Sequence, residues 1–204
     1  ALYAAHAAGD SAFHAEREAM RDAVRGSDIT AARPVLDTAE TTLLRLLNTN
    51  SYQKGGFILH MLRQEVGDRA FFAAVRAYHA AHRHGTALTD DLRTAMEREA
   101  GRDLRWFFDQ WLARPGLVDG RVTWRHDAEA QTLAVTVVQD GRFAPYRFPL
   151  TLGVTLADGT RRDVVVQVPA EREVTVVADL HLSTAPRTVG IDPHADLLHT
   201  LRTP

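Results

Sequence analysis

The sequence contains no cysteine among its 204 residues. This absence excludes disulfides, thiolate nucleophiles, zinc fingers and iron–sulfur ligation. An excess of one charge is also missing, since 24 basic and 26 acidic residues give a formal net charge of -2. No apolar run approaches the roughly 20 residues that span a bilayer. We therefore expect neither nucleic acid nor a membrane as a partner.

Lysine is almost absent as well. Of the 24 basic residues, only Lys54 is a lysine, and all the others are arginines. The chain therefore uses arginine wherever a generic surface cation is sufficient, and Lys54 is the exception. The rest of the composition, with 45% hydrophobic and 25% charged residues, is typical of a globular protein with one or two domains.

The hydrophobic period changes near Arg114-Pro115-Gly116. Before this point, apolar residues recur three and four positions apart, which is typical of amphipathic helices. We predict helices over 2–8, 11–25, 39–47, 69–83, 90–100 and 104–113, one further helix from residue 57, and a loop over 26–38. The aromatic residues of the last helix lie at helical spacing, which favours core packing over a substrate pocket.

After Gly116 the apolar residues alternate, and β-branched and aromatic types become frequent. Asp-Gly pairs separate the segments and favour tight turns. We predict strands over 121–124, 132–138, 146–156, 163–168 and 173–177, and one or two closing helical turns within 193–201. The expected fold is a multidomain α+β chain: a helical part over 1–116 and an immunoglobulin-like antiparallel β-sandwich of about six or seven strands over 117–204.

The segment Ser51-Tyr52-Gln53-Lys54-Gly55-Gly56 leads directly into an apolar helix. Further motifs follow in order: His60-Met61-Leu62-Arg63, Gly67-Asp68, Phe71-Phe72, Tyr78, Thr89-Asp90-Asp91-Leu92, Asp103-Leu104, Phe107-Phe108, Gln110-Trp111-Leu112 and Pro115-Gly116. This ordered set, which covers roughly residues 50 to 116, resembles the M1 family of zinc aminopeptidases, the gluzincins. The resemblance implies the later half of the catalytic domain, followed by that family's small β domain.

The same resemblance implies zinc ligands that are not present here. Members of the family bind zinc through the two histidines of H-E-x-x-H and a downstream glutamate, and no histidine in this chain is directly followed by glutamate. We therefore expect the ligands and the general base upstream of Ala1. This chain alone would then bind no zinc and be inactive, with the upstream part of the protein as its partner and a peptide as substrate.

Tyr52 matches the family's catalytic tyrosine, which implies that its neutral phenol donates a hydrogen bond to the oxyanion of the transition state. The alternative is a half-buried tyrosine packed on the core. For Lys54, an ordinary ion pair or a helix-start contact is favoured over a substrate-side cation. Leu47 stands where some relatives have a second active-site tyrosine.

Three alternatives stay open at this point, and one is a related zincin peptidase family that shares the tyrosine and lysine motif. His79, His82 and His84 lie close together in the sequence, near Asp90 and Asp91, and form a weak rival metal site. The chain could also be a noncatalytic scaffold or protein-interaction module of the same descent. A cytoplasmic location is favoured, and secretion stays open because a targeting segment could precede Ala1.

Overall fold

The computed structural model describes residues 2–204, with side chains from residue 7 onward. The chain divides into two compact units, one containing Ala19–Gly116 and the other containing Leu2–Glu18 together with Leu117–Pro204. The first is helical and the second is built mainly from strands. This succession confirms the predicted fold class.

In the described residues, seven α-helices precede the strands. Their bounds are α1 Leu2–Arg25, α2 Asp28–Ala32, α3 Leu43–Leu46, α4 Gly55–Val66, α5 Asp68–Ala81, α6 Thr89–Ala100 and α7 Arg105–Trp111. The two predicted amino-terminal helices are joined into α1 through a kink at Gly9, whose φ of 81° is accessible because glycine has no Cβ. The short α2 lies in the stretch predicted as a loop, and the helix predicted over 39–47 is reduced to α3.

The core of the helical unit is formed mainly by the inner faces of α4, α5 and α7. Phe57, Ile58 and Leu62 of α4 are buried, as the helical spacing of apolar residues predicts. In α7 the aromatic face of Phe107, Phe108 and Trp111 is also buried, which confirms its prediction as core. Complete burial of each such side chain contributes about 1.5–3 kcal/mol.

The second unit contains two three-stranded antiparallel sheets. The strands are β1 Gly120–Asp127, β2 Thr132–Gln139, β3 Phe148–Thr155, β4 Arg161–Val168, β5 Glu173–Asp179 and β6 Thr188–Ile191. One sheet has the order β1-β2-β5 and the other the order β4-β3-β6. Side chains on β2 and β3 alternate between buried and half-buried, so each sheet has one apolar face on the core.

The prediction of one or two helical turns within 193–201 is wrong. The segment is irregular because Asp192 and Ala195 adopt left-handed φ values of 46° and 55°. The buried carboxylate of Asp192 instead accepts the N–H groups of Asp196 at 2.8 Å and Leu197 at 3.2 Å. Within the described part of the chain, no helix combines the length and apolarity needed to cross a membrane.

Candidate active site

Tyr52 lies on a single π-helical turn, Asn50–Lys54, that continues directly into α4. The turn is defined by wide backbone hydrogen bonds, among them the N–H of Lys54 donating to the carbonyl of Thr49 at 2.9 Å. Isolated π-turns of this kind occur frequently at functional sites. The Tyr52 side chain is 60% exposed, so it is not the half-buried core residue that the sequence left as an alternative.

The Tyr52 phenol has no polar or ring partner in the described chain. Its backbone N–H donates to the carbonyl of Asn48 at 3.1 Å. Among residues 7–204, however, no side chain forms a hydrogen bond, ion pair or ring contact with the phenol. A phenol without a hydrogen-bond partner in the described chain is available to donate to a ligand.

The environment of Lys54 differs from the predicted one. Its side chain is completely buried, with an exposed fraction of 0%, and its Nζ has no hydrogen-bond partner among the described side chains and backbone groups. Of the two predicted roles, the ion pair is therefore wrong within the described residues, while the location of Lys54 directly before α4 agrees with a helix-start contact. Burial lowers the pKa of Lys54 to about 8, because an apolar environment disfavours the charged form.

An apolar surface lies next to Tyr52 in the chain. Leu43 and Leu44 of α3 and Leu47 after it are all exposed, Leu47 by 53%. The backbone carbonyl of Leu46 accepts the hydroxyl of Ser51, which connects α3 to the π-turn. Leu47 supplies no phenol here, so Tyr52 is the candidate hydrogen-bond donor of this surface.

The histidine cluster does not form a metal site in the described residues. His82 Nδ1 lies 3.3 Å from the carbonyl of Thr86, and its Nε2 lies 4.0 Å from the carboxylate of Asp91. The ring centroids of Tyr78 and His82 lie 5.1 Å apart. Within the described chain, no group of three or more His, Cys, Asp or Glu side chains is arranged to hold a metal ion.

A cavity of about 280 Å³ opens between α4, α5, α6 and α7. Its walls include Ile58, Tyr78, Leu88 and Phe107, and they are mostly apolar. Tyr52 and Lys54 do not line it. The cavity is therefore separate from the candidate catalytic phenol.

Sequence reasoning named Tyr52 but missed Asn50. Asn50 is 2% exposed and its side chain bonds to the segment that contains α2. An asparagine two residues before the motif tyrosine gives no sign of this, because its partners lie 16 to 21 residues away.

Comparison with known protein families gives a match over about half of the chain. The Peptidase family M1 domain matches residues 7–111. Aminopeptidase N of Lactococcus lactis subsp. lactis is 38% identical over 65 residues, which are 32% of this chain and 8% of that protein. Aminopeptidase N of Streptomyces lividans is 33% identical over 95 residues, which are 47% of this chain and 11% of that protein.

A solved structure has the same fold. The crystal structure of Legionella pneumophila aminopeptidase A in complex with aspartic acid matches with a TM-score of 0.69, over 80% of this chain and 19% of that one. The sequence identity is 17%, so this likeness concerns the fold alone. The chain thus spans only a small part of the length of the proteins it matches.

Proposed function

The chain belongs to peptidase family M1, and on this basis we propose that it forms the later part of the catalytic domain, with the β domain that follows, of a zinc aminopeptidase. The proposed reaction is hydrolytic removal of the amino-terminal residue of a peptide. The observation that carries the proposal is the Tyr52 phenol, which is exposed on a π-turn and has no partner among the described residues. The location of the turn directly before α4 supports the same role.

In this proposal Tyr52 stabilises the transition state. When a nucleophile attacks the scissile carbonyl, negative charge develops on the carbonyl oxygen, and a neutral phenol can donate a hydrogen bond to it. A bond that strengthens only as this charge develops lowers the barrier instead of tightening substrate binding. The phenol keeps its own proton and acts as a hydrogen-bond donor.

The described residues do not fit a zinc site, because they contain no suitable group of three ligands. We place the ligands and the general base in sequence outside this chain, which makes that upstream part an obligatory partner for activity. The contribution of this chain is then limited to positioning Tyr52 and to the fold that supports it.

The experiment compares the chain alone with a protein that also contains the sequence preceding it in the gene. Zinc content is measured by inductively coupled plasma mass spectrometry, and activity with aminoacyl-p-nitroanilides. We expect one zinc and amino-terminal hydrolysis only in the longer protein. A longer protein that folds but has neither zinc nor activity would contradict the proposal and favour the noncatalytic scaffold.

Tyr52→Phe in the longer protein tests the role of the phenol. Loss of one donor of this kind lowers kcat by about 10²–10³, with zinc content unchanged. Tyr78→Phe is the matched control, because it removes another phenol from the same unit. Equal kcat in the two variants would remove Tyr52 from the mechanism.

A further inference from the structure

Asn50 and Lys54 are the first and last residues of the π-turn, and both are buried. Tyr52 lies midway between them and is exposed. Residues two positions apart on a helix point to roughly opposite sides, so the inner side of the turn carries Asn50 and Lys54 while the outer side carries the phenol. The contacts that hold Asn50 and Lys54 therefore set the direction in which the Tyr52 side chain points.

Asn50 forms the side-chain contacts on the inner side. Its Nδ2 donates to the carbonyl of Arg33 at 2.9 Å and lies 3.3 Å from the carbonyls of Ile29 and Pro34. Its Oδ1 accepts the hydroxyl of Thr30 at 3.0 Å. One carboxamide thus satisfies the carbonyls of Arg33 and Pro34, which follow the end of α2 and lack intrahelical donors. It also lies close to the Ile29 carbonyl, which already accepts the N–H of Arg33 at 2.9 Å.

The main chain of Asn50 is fixed as well. Its N–H donates to Oδ1 of Asn48 at 2.8 Å, and its carbonyl accepts the N–H of Gly55, where α4 begins. The α2 segment on the other side is itself anchored, because the carbonyl of Thr30 accepts the N–H of Gly116 at 2.7 Å. The π-turn is therefore connected through Asn50 to a fixed part of the same unit.

We infer that Asn50 is a positioning residue for Tyr52. Since no described side chain forms a hydrogen bond or ring contact with the phenol, the orientation of its ring depends mainly on the backbone of the turn, and the turn is held by the Asn50 carboxamide. The inference rests on the proposed function, because it assigns Asn50 a role in the reaction through Tyr52. Asn50 itself touches no reacting atom.

The first test uses the 204-residue chain and requires no activity. Asn50→Asp replaces the amide donor by an oxygen facing three carbonyls, and Thr30→Val removes one hydroxyl from the same network without changing its size. Thr30→Ser keeps the hydroxyl. Thr200→Val is the matched control, because the Thr200 hydroxyl donates to Asp119 at 2.6 Å within the other unit.

Two signals report on the turn. Amide hydrogen exchange of Tyr52 and Lys54 should accelerate at least tenfold in Thr30→Val and in Asn50→Asp. The ¹⁹F resonance of 3-fluorotyrosine at position 52, one of four tyrosines, should shift or broaden in the same variants. Thr30→Ser and Thr200→Val should leave both signals unchanged. If Asn50→Asp does not fold, Thr30→Val alone decides.

The second test measures kinetics in the longer protein. We expect Thr30→Val to lower kcat at least tenfold while KM changes less than twofold. Thr30→Ser, which keeps the hydroxyl, should have the kcat of the wild type. Unchanged exchange and fluorine signals in a folded Thr30→Val chain would overturn the inference, as would a kcat loss no larger than that of Thr200→Val. An inactive wild-type protein would refute only the proposed function, since the signals of the chain alone still decide whether Asn50 orients Tyr52.

Discussion

Replacement of Lys54 by methionine should stabilise the chain. Lys54 is completely buried and its ammonium group has no hydrogen-bond partner among the described residues. A buried charge without compensation is unfavourable. Methionine has a similar length, no charge and enough flexibility to fill the same space.

The magnitude follows from the pKa of the lysine. Burial lowers this pKa from 10.5 to about 8, so the folded state binds the proton more weakly than the unfolded state. The resulting loss of stability is complete below pH 8 and disappears as pH rises toward 10.5. Since each pKa unit corresponds to about 1.4 kcal/mol, the loss at pH 7 is about 3 kcal/mol.

We therefore expect Lys54→Met to raise the free energy of unfolding at pH 7 by up to about 3 kcal/mol, with the gain shrinking between pH 8 and 10.5. Urea unfolding in a Trp124→Phe background measures it, because the remaining tryptophans, Trp106 and Trp111, both lie in the helical unit. Lys54→Arg, which keeps a permanent charge, should not stabilise.

The wild-type chain allows a direct measurement of the pKa of Lys54. Because Lys54 is the only lysine, ε-¹³C-lysine labelling gives a single side-chain resonance to titrate. A midpoint at the ordinary value for lysine, together with a Lys54→Met variant that is less stable than the wild type at pH 7, would refute the reasoning.

Two further predictions concern stability. Arg33 donates to Glu40 at 2.7 Å and lowers the pKa of that carboxyl to about 2. The stabilisation is therefore present at neutral pH and is lost as pH falls from 4.5 toward 2. Glu40→Gln should lower the urea midpoint by more at pH 7 than at pH 2, and equal effects at both pH values would contradict this. In β1, a Cβ on Gly120 would lie 2.0 Å from the carbonyl oxygen of Val138, so Gly120→Ala should cost about 1–3 kcal/mol. Gly141→Ala should not lower the stability, because no atom lies within 4 Å of a Cβ at that position. Equal melting temperatures of the two variants would contradict the predicted steric clash at Gly120.

The elements that sequence alone predicted have a clear local period. The helices expected over 69–83 and 90–100 correspond to α5 and α6, and alternation located β2 and β4. Elements that depend on distant partners were missed. β6 spans only Thr188–Ile191 and exists through pairing with β3, while α2 is a short helix in a stretch whose single glycine and single proline predict a loop.

The candidate site shows the same division. The motif identified Tyr52, because the order of residues around it is specific. Neither the burial of Lys54 nor the contacts of Asn50 follows from local sequence. Both depend on how the π-turn packs against other parts of the helical unit, and a π-turn has no distinct hydrophobic period.

The central claim is that Tyr52 binds the transition state more strongly than the substrate. Its most direct test compares wild type and Tyr52→Phe, in the longer protein, by kcat/KM and by the inhibition constant of a phosphinic pseudodipeptide that mimics the tetrahedral intermediate. The account predicts that kcat/KM falls and the inhibition constant rises by the same factor, about 10²–10³. A variant whose kcat/KM falls while inhibition is unchanged would contradict it.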